Sequence, residues 1–161
     1  MKCKNFKSPI PLLLAICLGF LLIGCMHRSI SQKAGGTPYV VEIWASDACP
    51  KQGDTVTLRA TATNVDPETQ VVELKDQPVL DIVVGNLTDG QRWSAGKPLT
   101  PDLTRLELKP GESKSIEMSW IDQPISNIPV ISARFIDDPR SINNPLMPTI
   151  VLGTSCYLIG P

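Results

Sequence analysis

The segment Thr55–Thr63 alternates strictly between apolar and polar side chains, and this pattern constrains the fold more than any other feature of the chain. Val56, Leu58, Ala60 and Ala62 fall on one face, with threonines and an arginine on the other. Successive side chains of a strand point to opposite sides of a sheet, so a period of two indicates a strand with one buried face. The segment therefore predicts a half-buried antiparallel strand.

Other short segments show strand patterns, and no stretch of ten residues has the 3.6-residue period of a helix. Fifteen prolines and eleven glycines divide the chain between them. Seven to eight short strands separated by turns predict an all-β fold, an immunoglobulin-like antiparallel β-sandwich. Besides the first, the expected strands are Tyr39–Ala45, Val71–Leu74, Pro78–Val84, Leu103–Leu108, Ser115–Trp120, Val130–Ile136 and Thr149–Leu158.

A tight turn is predicted at Lys109-Pro110-Gly111-Glu112, between two of these strands. Proline suits the first central position of a type II turn, and glycine at the second tolerates the positive φ found there. The flanking segments should therefore run back along one another.

The first 25 residues have the pattern of an export signal. Lysines at 2, 4 and 7 precede an uncharged apolar run over residues 9–24, which is shorter than the roughly 20 residues of a transmembrane helix. Leu22-Ile23-Gly24-Cys25 resembles the lipobox of bacterial lipoprotein precursors. The resemblance implies that residues 1–24 are a signal peptide and that Cys25 carries the lipid. An uncleaved anchor or a plain secretory signal is the alternative, and either would also export the chain.

The remaining chain divides into a linker and one domain. Residues 25–36 are small and polar, which predicts a lipidated N-terminus and a flexible linker. Residues 37–161 form one β-sandwich domain. We expect a location in the cell envelope, lipid-anchored on the outer side of the cytoplasmic membrane, or on the outer membrane if the host has one. All 16 acidic residues follow the signal and three of the 15 basic ones lie in it, so the exported part is acidic, which argues against nucleic-acid binding.

Two of the five cysteines, Cys49 and Cys156, remain once the signal and Cys25 are set aside. Paired cysteines are usual in exported domains, so we predict a disulfide that closes nearly the whole domain. A metal site is the alternative, but two cysteines without a histidine in the domain supply few ligands. We expect no metal and no cofactor.

Three segments in a fixed order resemble the BsuPI-type domain, a family named for an intracellular proteinase inhibitor. They are the aliphatic strand Val79–Val84, the turn Gln91–Lys97 and the hairpin Leu106–Trp120. The resemblance covers roughly residues 54–121 and implies an immunoglobulin-like fold and, from the family name, proteinase inhibition. The segment Gly85–Gly90 lacks the aromatic-rich run expected there, which affects the transfer of function more than that of fold.

The first candidate binding loop contains Arg92, Trp93, Ser94 and Lys97. It is open to two interpretations. The residues form a recognition loop, or Trp93 covers one end of the core while Gly96 permits a tight turn.

The second candidate binding loop is Pro139–Pro148, which three prolines stiffen. A proteinase inhibitor needs a rigid exposed segment, because preorganisation lowers the entropic cost of binding. Arg140 or Leu146 would then enter a specificity pocket of the proteinase. The alternative is a plain connection whose prolines prevent edge pairing.

Catalysis is disfavoured because the only histidine, His27, lies in the linker, so a histidine-based triad is excluded. A pair of catalytic carboxylates stays open. We expect a non-enzymatic, membrane-tethered extracytoplasmic binding or accessory module. Its partners would be the membrane, through the lipid, and a protein such as a peptidase. The alternative is a proteinase inhibitor acting through Pro139–Pro148.

Overall fold

The computed structural model describes residues 28–85, 90–121, 129–138 and 145–153. Over these ranges the chain forms short strands and one helical turn, which confirms the all-β class. Their bounds are β1 (Ile30–Gly35), β2 (Tyr39–Ala45), β3 (Thr55–Asn64), β4 (Gln70–Glu73), β5 (Leu80–Val84), β6 (Gln91–Arg92), α1 (Pro101–Thr104), β7 (Arg105–Leu108), β8 (Ser113–Ile121), β9 (Val130–Phe135) and β10 (Thr149–Val151).

Two four-stranded antiparallel sheets enclose one core, as a β-sandwich requires. Sheet 1 has the strand order β1-β2-β3-β8, and sheet 2 has the order β10-β9-β5-β6. Strands β4 and β7 form a separate two-stranded ribbon. In the described part of the chain, no helix has the length and apolar character needed to cross a bilayer.

The core follows from the alternation seen in the sequence. All four apolar residues of β3 are fully buried, and the threonines and Arg59 on the other face are half-buried or exposed. Strand β2 has the same alternating burial. The ring of Tyr39 in sheet 1 meets the ring of Phe135 in sheet 2 edge-on, with 4.9 Å between centroids. This contact joins the two sheets through the favoured geometry of an aromatic pair.

The turn at Lys109–Glu112 forms as predicted. The amide of Glu112 donates to the carbonyl of Lys109 at 2.9 Å, and Gly111 has a φ of 74°. The turn joins β7 to β8, but these two strands do not pair with each other. Strand β7 pairs with β4, and β8 pairs with β3.

Asn64, at the end of β3, connects sheet 1 to the ribbon. Its side chain is fully buried, and its amide group donates to the carbonyls of Glu68 at 2.8 Å and Leu108 at 3.0 Å. Its side-chain oxygen accepts from the amide of Asp66 at 2.9 Å. The buried amide is therefore well satisfied, as its position requires.

The prediction of a flexible linker over residues 25–36 is wrong for Ile30–Gly35, which forms β1 along β2. The edge of β2 offers unpaired backbone groups, and a polar segment pairs with them readily because the bonds are backbone to backbone. Ile30 packs against the core from this strand. The N-terminal part of the predicted linker, residues 25–27, lies outside the described residues, as does the signal peptide.

Two other expected strands differ in their limits. The segment Leu103–Leu108 begins inside the helical turn α1, where a proline stands at the start, and becomes a strand only from Arg105. The segment Thr149–Leu158 is a strand over Thr149–Val151, and residues 154–161 lie outside the described part.

Candidate functional site

Backbone hydrogen bonds hold the loop that follows β6 in one conformation. The amide of Trp93 donates to the carbonyl of Ile82 in β5 at 2.9 Å. Two turns follow, closed by hydrogen bonds from Ala95 to Arg92 at 3.2 Å and from Lys97 to Ser94 at 3.0 Å. Gly96 lies within the second turn and has a φ of 74°, which favours glycine. We call residues 92–97 the β6 loop.

Asp81 attaches the β6 loop to sheet 2. Its carboxylate is fully buried in β5 and accepts from the hydroxyl of Ser94 at 2.7 Å and from the amide of Ser94 at 3.1 Å. The amide of Ile82 also donates to it at 3.0 Å. Arg92 brings a guanidinium nitrogen to 3.9 Å. Several hydrogen bonds and a nearby cation offset the burial of the charge.

Trp93 and Lys97 contact each other in the β6 loop. Trp93 is half-buried and packs against the core, so the interpretation that it covers one end of the core agrees with its position. The ammonium of Lys97 lies 3.1 Å from the centre of the Trp93 ring. Desolvation lowers the pKa of Lys97, and the charge of Asp81 acts in the opposite direction. A cation on an indole face is a preorganised group that another protein can contact.

Arg134 is a site residue that the sequence analysis did not identify. It lies opposite Asp81 across β9 and β5 and is only 7 % exposed. Its Nη2 donates to Gln77 at 2.8 Å, while its Nη1 has no hydrogen-bond partner among the described residues. Burial lowers the pKa of Arg134, the charge of Arg92 lowers it further, and the charge of Asp81 raises it. The alternation of β9 was the available signal, since Arg134 falls on the face of sheet 2 turned away from the core.

The loop Pro139–Pro148 is described only over its last residues. Leu146 bridges to Phe135, with backbone hydrogen bonds of 2.9 Å in both directions, and its side chain packs against the core. The carbonyl of Pro148 accepts from Ala133 at 3.1 Å. This end of the loop therefore lies flat along β9. Arg140 lies outside the described residues.

Cys49 lies beside the end of the described chain. The carbonyl of its neighbour Ala48 accepts from the amide of Gly153 at 2.8 Å, and the amide of Cys49 donates to the side chain of Asp47 at 2.9 Å. Cys156 follows Gly153 by three residues but lies outside the described part, and so does Cys25. The disulfide stays a prediction, and the contact with Gly153 is consistent with it.

Asp137 and Asp138 directly precede the loop Pro139–Pro148, which we call the long loop, and both are half-buried. Across the described residues, no group of three or more histidine, cysteine, aspartate or glutamate side chains is arranged to bind a metal ion.

These features define an antiparallel β-sandwich in which hydrogen bonds to Asp81 hold the β6 loop at the edge of sheet 2. A family model described as BsuPI, intracellular proteinase inhibitor, matches residues 44–129, which is more than half of the chain. The chain belongs to the BsuPI family. The match contains the resemblance found over residues 54–121 and confirms it. No curated protein and no solved structure matches the chain significantly.

Proposed function

We propose that this chain is a membrane-tethered proteinase inhibitor that acts outside the cytoplasm. The observation that carries the proposal is membership of a family described by proteinase inhibition. That family is one of inhibitors and not of enzymes, which is compatible with the absence of a histidine from the sequence after residue 27.

The β6 loop is the surface we assign to the proteinase. An inhibitory segment must be exposed yet keep one conformation, because ordering a flexible loop on binding lowers affinity. The bonds from Ser94 to Asp81 and the two turns provide this order in the free protein. Lys97, stacked on Trp93, is the group expected to enter the contact.

The long loop is a second candidate surface, but the structure disfavours Leu146 as one of its contact residues. Leu146 packs against the core, so it is poorly placed to enter the specificity pocket of another protein. Arg140 remains as the candidate from this loop. Because part of the loop lies flat along β9, the role of accessory binding module is the competing proposal.

The test is inhibition by the full chain, purified in detergent, of serine, cysteine, aspartic and metallo-peptidases from the host envelope. We expect one class to be inhibited and the inhibition to weaken at least tenfold in Lys97→Glu. Lys51→Glu is the matched control, since Lys51 lies in the turn between β2 and β3 and makes the same charge change. Loss of inhibition in Arg140→Ala but not in Lys97→Glu would transfer the role to the long loop. No inhibition of any class would favour the accessory module.

Tethering is tested separately. Radiolabelled palmitate should label the chain, and Cys25→Ala should lose the label and move the protein from the membrane fraction to the soluble fraction. The expectation rests on the lipobox Leu22–Cys25 and on the stable anchoring that more than one acyl chain supplies. Unchanged membrane association in Cys25→Ala would contradict the lipid anchor and favour an uncleaved signal.

A further inference from the structure

The chain is attached to one end of the sandwich before β1 begins. The carbonyl of Arg28 accepts from the amide of Ala48 at 2.7 Å. Strand β1 starts two residues later, at Ile30, and all six of its residues pair with β2. From Arg28 onwards, the chain is therefore fixed to the domain by backbone hydrogen bonds.

The register shows which end of the sandwich this is. Ile30 lies opposite Ala45, the last residue of β2. The connection from β2 to β3 follows over residues 46–54, and β3 runs antiparallel to β2. Strand β8 ends beside the start of β3, where Ile121 pairs with Thr55. We call this the 46–54 end of the sandwich.

The opposite end carries the β7–β8 turn and the described part of the long loop. Strand β3 ends at Asn64, whose carbonyl accepts from the amide of Gly111 in that turn at 2.9 Å. Tyr39 pairs with Asn64, and its ring meets Phe135. Phe135 in turn bridges to Leu146 of the long loop. The ten residues of β3 connect the two ends, which at about 3.4 Å per residue lie about 30 Å apart.

The segment between the predicted lipid and the domain is short. Cys25 precedes Arg28 by three peptide units, and each adds at most about 3.8 Å, so their Cα atoms lie within about 11 Å in any conformation. A free linker over residues 25–36 could extend to about 40 Å. The pairing of β1 with β2 therefore removes most of the length that would let the domain turn over above a bilayer.

The surfaces near the tether favour contact through the 46–54 end over contact through the outer face of sheet 1. Binding at a bilayer surface requires exposed apolar area or cations that attract the headgroups. The two cations on the outer face of sheet 1 each pair with a glutamate of the neighbouring strand, as Lys33–Glu42 and Arg59–Glu117. At the 46–54 end, Arg28 is exposed and the apolar side chain of Ile121 is 56 % exposed.

We propose that the 46–54 end of the sandwich faces the lipid headgroups of the membrane and that the opposite end points away from it. The inference rests on the proposed function, since it takes Cys25 to be the lipidated residue. It goes further by assigning one surface of the domain to the bilayer. Acyl chains on Cys25 enter the bilayer and hold that residue at its surface. The described part of the long loop then lies on the far side of the domain, where a soluble partner can reach it.

The test uses the lipidated full chain in nanodiscs whose lipids include a gadolinium chelate on the headgroup. Gadolinium enhances the relaxation of amide protons, and the effect falls steeply with distance. We expect the enhancement at Gly53, in the 46–54 connection, to exceed that at Gly111 at least tenfold. Along β3 it should decrease steadily from Thr55 to Asn64.

A longer tether should remove this difference. Five Gly-Ser repeats inserted between His27 and Arg28 should lower the ratio of the enhancements at Gly53 and Gly111 at least threefold, because the domain can then turn. The same repeats appended after Pro161 are the matched control and should leave the ratio unchanged. The insertion lies before the bond from Ala48 to Arg28 and outside the pairing of β1 with β2, so the fold is retained.

Mass spectrometry of the same sample distinguishes failure of this inference from failure of the proposed function. A chain without lipid on Cys25 would contradict the tether, and the orientation would fall with it. A lipidated chain with equal enhancement at Gly53 and Gly111, or with the larger value at Gly111, would overturn the orientation and leave the tether intact. A ratio that the insertion does not lower would overturn the short tether as its cause.

Discussion

At the scale of single residues, the β6 loop depends on one serine. Ser94 gives both its amide and its hydroxyl to the fully buried carboxylate of Asp81. A buried carboxylate must keep its donors, because removing one leaves charge without compensation. The pair therefore links the conformation of the loop to the stability of sheet 2.

We expect Ser94→Ala to lower the free energy of unfolding by about 1.5–3 kcal/mol, the range for a hydrogen bond to a charged group. Urea denaturation of the full chain measures it. Thr61→Ala is the control, since it removes an exposed hydroxyl pair at 2.8 Å, close to the 2.7 Å between Ser94 and Asp81, and should change stability by about 0.5 kcal/mol or less. An equal loss of stability in the two variants would show that the bond to Asp81 contributes no more than an exposed hydroxyl pair does.

The raised pKa of Tyr39 predicts that the stability of the fold decreases with pH in the alkaline range. Burial raises the pKa of Tyr39 above the ordinary value of 10.0, and the charge of Asp137 raises it further. The unfolded chain therefore loses its phenolic proton at a lower pH than the folded chain does. The contribution of neutral Tyr39 is complete below pH 10 and is lost as the pH rises through the raised pKa.

The check is chemical denaturation between pH 9 and pH 11, comparing the chain with Tyr39→Phe. The slope of stability against pH above 10 should be shallower in the variant, because a phenylalanine has no proton to lose. Identical slopes would mean that the titration of groups other than Tyr39 causes the decline in stability. The phenylalanine keeps the ring that meets Phe135, so packing is largely preserved.

At the scale of elements, the hairpin of β1 and β2 depends on a close approach of two backbones. Gly35 has a φ of 107°, and a Cβ placed there would lie 2.4 Å from the carbonyl oxygen of Tyr39. That oxygen accepts the amide of Gly36 at 2.9 Å, so it cannot move away without losing the bond. The turn requires glycine at position 35 for two separate reasons.

Gly35→Ala should lower the free energy of unfolding by more than about 1 kcal/mol, since alanine is unsuited to a positive φ. Gly36→Ala is the matched control, because no atom lies within 4 Å of a Cβ at that position and its φ is not positive. Thermal unfolding of both variants distinguishes them. A loss in Gly36→Ala as large as that in Gly35→Ala would contradict the close-approach argument.

At the scale of the whole molecule, the predicted disulfide would tie the β2–β3 connection to the end of the chain. Gly153 already bonds to Ala48 beside Cys49. Closing so long a loop contributes on the order of 4–5 kcal/mol in the chain-entropy description. Non-reducing peptide mapping should recover Cys49 linked to Cys156.

Reduction with dithiothreitol should lower the Tm of the chain and leave the Tm of Cys49→Ala unchanged. Absence of the linked peptide from the unreduced chain would contradict the pairing, and an unaltered Tm on reduction would contradict its contribution to stability. A lipid on Cys25 would not interfere, because a thioether is not reduced.

The secondary structure follows from the sequence wherever a segment has two distinct faces. The alternation of β3 determined its burial residue by residue, and the proline and glycine of Lys109–Glu112 determined the turn. Strand β1 was missed because Ile30–Gly35 is polar and gains its order from pairing with β2. Local propensity carries no information about such a partner.

The sequence by itself determined the all-β class, the fully buried apolar residues of β3 and the membership of the BsuPI family, because periodicity and motif order are properties of short segments. Only the tertiary structure decided the surroundings of these residues. It brought Asp81, Arg92, Ser94 and Arg134 together from three segments, and it placed β7 beside β4 and β8 beside β3. Both outcomes depend on which strands pair, and pairing between distant segments is fixed by the packing of the whole core.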